Sequence, residues 1–175
     1  MEKRGMGSRM GLIGAIWGVI GVAMLLLLAI SRLLGNVHES FLLPWHWYHY
    51  CALVIGVLAM AYFEGYRGFQ RGFSPRVAAR ARHVRENPRK RFVVLGPLFC
   101  ASYFHASRRR QITAISVTLG ITLLVALVRH VAQPWRGIID AGVLVGLVWG
   151  VVSLIIISFI ALTADEFDHS PELPE

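Results

Sequence analysis

Glu64–Arg91 reads EGYRGFQRGFSPRVAARARHVRENPRKR and holds nine of the chain's 18 Lys and Arg residues. Long apolar runs lie on either side of it. Guanidinium groups are not readily carried across a bilayer, so the positive-inside bias assigns this stretch to the cytoplasmic side. That assignment orients every other segment.

Hydrophobic residues make up 55% of the 175-residue chain and charged residues only 16%. Mean hydropathy is +0.56. Soluble domains are nearer roughly 45–50% apolar. The apolar residues come in blocks of about 20, the length that crosses roughly 30 Å of hydrocarbon. The expected fold is all-α, a polytopic membrane bundle forming one domain over residues 1–163. Four transmembrane helices are predicted at about 11–34, 47–63, 111–128 and 137–162. A cytoplasmic amphipathic helix and a short re-entrant or interfacial helix accompany them. The tail 164–175 is acidic and expected to be disordered.

The formal net charge of +8 follows the flanks of these blocks. Topology and anionic headgroups account for it more simply than nucleic acid does, so no nucleic acid is expected. Cys51 and Cys100 form neither a metal spacing nor a disulfide framework; both are expected as buried free thiols.

Residues 11–34 are too long for a secretory leader and read as a retained first span with its N-terminus inside. Gly7, Gly11, Gly14, Gly18 and Gly21 alternate at four and three residues, which places them on one helical face. In lipid such a face allows close backbone approach. Gly142, Gly146 and Gly150 make a second seam in the last span. The two seams are expected to face each other within the chain or to mediate a homodimer. Residues 31–50 are expected outside, with Trp45, Trp47, Tyr48 and Tyr50 as an interfacial belt.

Within the basic loop, Ser74-Pro75 reads as an N-cap and first helical residue. The helix it opens, 75–86, has Val77, Ala81 and Val84 on one side and is expected to lie on anionic lipid. Arg67, Arg71, Arg76, Arg80, Arg82, Arg85, Arg108, Arg109 and Arg110 are the candidate lipid- or partner-binding residues. Glu64 and Arg67 are spaced to pair on an α-helix. Residues 92–106 are short for a span and contain Gly96-Pro97. They read as re-entrant or interfacial, with a fifth span as the alternative.

Chemistry is sparse. The predicted spans carry no ionisable residue in their central turns, which argues against a pump or ion-coupled transporter. His46, His49 and His130 fall at the outer helix ends, and His38 in the first outer loop. They are candidate haem or metal ligands, though ordinary interfacial histidines account for them as well. No cofactor is expected. No catalytic constellation is found.

The leading expectation is a non-enzymatic accessory, assembly or scaffold subunit of a bacterial inner membrane, with both termini cytoplasmic. Its partners are expected to be anionic lipid, other membrane subunits or itself. An interfacial lipid-modifying enzyme using Glu64 and His105 is one alternative. A redox subunit using the outer histidines is the other.

Overall fold

The computed structural model describes residues 2–173, with side-chain surroundings from Arg9 onward. The packing expected of Gly7 and the last two tail residues, Pro174 and Glu175, therefore lie outside the described residues. All regular structure among the described residues is helical. Helix α1 is Glu2–Phe41, α2 Trp47–Met60, α3 Ser74–Glu86, α4 Lys90–Val94, α5 Gly96–Cys100, α6 Arg108–Val128 and α7 Trp135–Thr163. A π-helix, Ala61–Phe73, joins α2 to α3. Four stretches are long and apolar enough to cross a membrane: Arg9–Phe41, Trp47–Glu86, Arg108–Val128 and Trp135–Thr163.

The second of these corrects the assignment of 64–91 to a loop. Helix α2, the π-helix and α3 form one rod of 40 residues. Pro75 would ordinarily clash with the carbonyl four residues earlier. The wider π turns ahead of it relieve that clash, since their hydrogen bonds close five residues on. Ser74 is accordingly no N-cap: the helix already runs through it, and its hydroxyl meets that of Ser153 at 3.0 Å. The π geometry also separates Glu64 from Arg67, because positions three apart no longer share a face.

The rod runs parallel to α7. His49 lies beside Trp135, with ring centroids 5.1 Å apart. Gly142 abuts Gly56, Gly150 abuts Phe69, and Ser153 meets Ser74. Helix α1 runs antiparallel to α7, with Gly137 against Ser40. It extends further than expected, through Gly35 to Phe41, before the break at Pro44. Trp45 Nε1 closes the turn on the Ser40 carbonyl at 2.6 Å.

The glycine seams do not face each other. Gly11 lies against the Arg85 backbone, Gly14 against Val84 and Val93, Gly18 against Cys100 and Gly96, and Gly21 against Pro97. Gly142 and Gly150 lie against the rod, and Gly146 against Glu64. The reason is steric. The two short helices α4 and α5 occupy the narrow face of α1, and only glycine admits Gly96 and the Pro97 ring so near the α1 axis.

The core lies at the end where α1 starts and α7 finishes, termed basal below. It comprises Ala15, Val22, Val77, Ala81, Val84, Phe92, Phe99, Cys100 and Leu154. Thus α3 is buried between α1 and α7, not spread on a surface. Cys100 is buried as expected, whereas Cys51 is exposed on α2. Helix α6 buries no residue. It meets the remainder at its first turn, where Arg110 pairs with Glu172, and at mid-helix, where Tyr103 Oη meets Thr118 Oγ1.

Candidate functional site

Arg80 is the most deeply placed charge among the described residues, with 1% relative exposure. Its Nε donates to the Phe99 carbonyl at 2.6 Å. Nη1 donates to Pro171 O at 2.8 Å. Nη2 donates to Phe104 O at 3.0 Å and His105 O at 2.9 Å. The guanidinium carbon lies 4.0 Å from the Phe99 ring centroid. A fork of five donors suits this work, since one group can tie three chain segments. Arg80 is therefore an internal clamp, and it is withdrawn as a lipid contact.

Three further arginines of the predicted site are also engaged internally. Arg82 donates to Ala164 O at 2.9 Å and Asp165 O at 2.5 Å, and pairs with Glu86 at 2.7 Å. Arg85 donates to the Leu162 carbonyl. These bonds supply donors to the last carbonyls of α7, which have no partner within the helix. Arg110 pairs with Glu172. Ser107 N–H donates to Glu172 O at 3.1 Å. The tail, which carries no regular structure from 166 to 173, meets the basal end through these bonds.

Arg76 is half-buried near Arg110 and Glu172. Arg67, Arg71, Arg108 and Arg109 are exposed, as are Arg89, Lys90 and Arg91. Arg89 and Arg91 lie over the Phe92 ring, at 5.6 and 5.9 Å from its centroid. Beside them Val94, Leu95 and Leu98 are exposed. This basal rim combines cations with an apolar patch.

His105 faces the same rim. Its pKa is held below the ordinary imidazole value, first by lost hydration and then by Arg89, Arg91 and Arg80. Burial pushes the Cys100 thiol up to about 12, so it is an inert packing group. His105 bonds through its carbonyl to Arg80, whereas Glu64 lies on the order of 20 Å up the rod at helical rise. The structure does not bring Glu64 and His105 together.

At the opposite end, His46 and His49 have ring centroids 5.7 Å apart. His49 Nδ1 accepts from the His46 backbone N–H at 3.1 Å, which commits that nitrogen to capping α2. No group of three His, Cys, Asp or Glu with metal-site spacing occurs among the described residues, so His130 does not join this pair.

Two polar groups lie where the sequence reading did not place them. Asp140 is buried and accepts from Asn36 Nδ2 at 2.8 Å. Arg136 Nη2 donates to Asn36 Oδ1 at 3.1 Å. Gln133 Nε2 donates to Asn36 O at 3.2 Å, and Gln133 Oε1 accepts from Gly137 N–H at 3.0 Å. This clasp joins α1 to α7. An acid inside an apolar run was the available signal. The second is Glu64. It sits against Gly146, well inside α7, although its neighbours in sequence looked like a loop.

Comparison of the chain with protein families, with characterised proteins and with solved structures found no match.

Proposed function

We propose that the chain is a non-enzymatic integral membrane protein, an accessory, assembly or scaffold subunit of a bacterial inner membrane with cytoplasmic termini. Its basal rim contacts anionic lipid or an acidic partner. One observation carries this reading: Arg89, Lys90, Arg91, Arg108 and Arg109 remain exposed, and the first three adjoin in sequence the exposed Val94, Leu95 and Leu98. The clamp residues are already committed elsewhere. Cations next to an apolar patch suit a headgroup boundary, where each is worth about 1 kcal/mol on an anionic surface. The short helices α4 and α5 then sit at the interface. Arg67 and Arg71 lie higher on the rod, roughly 20 and 14 Å from Arg80 at helical rise, and are left out of this contact.

The test is lipid retention. The full chain is reconstituted in mixed phosphatidylglycerol and phosphatidylcholine nanodiscs, and its bound lipid is measured by native mass spectrometry. Reversing Arg89, Arg91, Arg108 and Arg109 to Glu is expected to abolish the preference for phosphatidylglycerol. An unchanged preference would end this reading.

A further inference from the structure

Glu64 occupies the space left by the missing side chain of Gly146. A Cβ built on Gly146 would stand 2.8 Å from Glu64 Oε2 and 3.0 Å from its carboxyl carbon. Gly146 is about 16 Å below Trp135 on a helix about 43 Å long, at 1.5 Å per residue. From Ala141 to Thr163, α7 has no ionisable side chain. The charges nearest to Glu64 in the rod are Arg67 and Arg71, both exposed. Neither forms an ion pair with it among the described residues. The nearby Trp149 indole N–H is already donated to Gln70 Oε1, at 2.8 Å. Among the described residues, Glu64 is thus a half-buried carboxyl with neither counter-charge nor donor, seated on the apolar middle of a helix.

An ionised carboxylate in such surroundings is expensive, and a neutral acid is not. Ionisable groups within spanning segments mark ion or proton sites more often than packing. The surrounding backbone is also unusual. The π-helix begins at Ala61, and such turns concentrate at functional positions. Gly65, the next residue, lies against the Trp149 ring, so the contact depends on two glycines, one from each helix.

We propose that Glu64 is a proton-binding site within the membrane, whose carboxyl gains and loses a proton at the Gly146 notch. Loss of the proton drives the group out of the notch toward the side of Arg67 and Arg71, which couples its proton occupancy to the packing of the rod on α7. The proposal rests on the membrane-embedded reading above and is independent of the lipid contact.

The test uses the full chain in liposomes and two carbodiimides. Dicyclohexylcarbodiimide partitions into lipid and modifies protonated carboxyls there, whereas a water-soluble carbodiimide modifies carboxyls in water. Peptide mass mapping locates the adduct on the wild-type protein, so the result does not depend on any variant folding. The lipid-soluble reagent is expected to modify Glu64, with labelling that falls as pH rises, and the water-soluble one to spare it. Glu64→Gln loses the adduct. Gly146→Leu fills the notch and loses the pH dependence. No adduct on Glu64 at any pH overturns the proposal, as does labelling that ignores pH. Equal labelling by both reagents places Glu64 in water and overturns the proposal together with the embedded reading. Failure of lipid retention in the rim variants touches neither.

Discussion

Arg80 and Phe99 bind each other twice. The Arg80 Nε donates to the Phe99 carbonyl at 2.6 Å, and the guanidinium carbon lies 4.0 Å from the centroid of the Phe99 ring. The ring itself stacks on Phe92, with centroids 4.5 Å apart. One side chain therefore joins α3, the end of α5 and the tail into the basal core.

Arg80→Ala leaves the carbonyls of Phe99, Phe104, His105 and Pro171 without this donor. Leaving a buried acceptor unsatisfied costs about 1–3 kcal/mol, so with four carbonyls affected a loss of at least about 1–3 kcal/mol is expected. Arg80→Lys is expected to recover only part of it, because an ammonium cannot reproduce the fork. Denaturant unfolding in detergent measures both. Equal stability of Arg80→Ala and wild type would contradict the clamp.

The partner of the α1 glycine face can be trapped with a single substitution. Gly18 lies against Cys100 Sγ, so Gly18→Cys is expected to form an intramolecular disulfide with the native Cys100. The Cys100 thiol, pushed up to about 12, reacts slowly unaided, so a copper catalyst is needed. Mass mapping of the oxidised product reads the bond. Had the two seams faced each other, Cys100 would stay free.

Glycines that touch nothing provide the control. Gly120 has open space around its Cβ position, and Gly150 is filled by the Phe69 ring. Gly120→Ala is expected to be neutral or to stabilise by up to about 1 kcal/mol, since Ala is the better helix former and meets no neighbour. Gly150→Val is expected to cost about 1–3 kcal/mol through overpacking. Thermal unfolding of the two variants in one detergent distinguishes them.

Acid is expected to loosen the basal end through His105. Its folded pKa lies below the ordinary 6.5. The unfolded chain therefore takes up the proton first, and the contribution to stability is complete above about 6.5 and lost as pH falls below it. His105→Gln is expected to flatten this dependence while leaving stability at pH 8 nearly unchanged. Unfolding midpoints at pH 5 and pH 8 decide the matter. A wild-type midpoint that does not move would refute it.

At the far end, Asn36→Ala is expected to cost about 1–3 kcal/mol, because it strands the buried Asp140 acceptor and a donor of Arg136. Asn36→Asp adds a second carboxyl beside Asp140 and is expected to cost more. The same unfolding assay compares them.

Helix content and the four long apolar segments were legible because both are local. Block length and hydropathy need no partner to be read. The Arg-rich stretch misled for the same reason. Charge density near Arg76–Arg85 looked like a surface, but each of Arg80, Arg82 and Arg85 finds carbonyls contributed from elsewhere in the chain. Glu64 looked terminal to a span because the rod's continuation was hidden. The Gly-aromatic pairs between Gly65 and Phe73 carry turn-like composition, yet in the fold they form the π turns that continue the rod.

What the chain alone decided is therefore its class of architecture: helices of bilayer length, edged with arginine. The tertiary structure decided which arginines are available, which glycine face meets which helix, and where the Glu64 carboxyl rests. Hydropathy acts residue by residue and survives without a fold. Pairing a buried donor with a distant carbonyl depends on long-range closure, and no single stretch of sequence contains it.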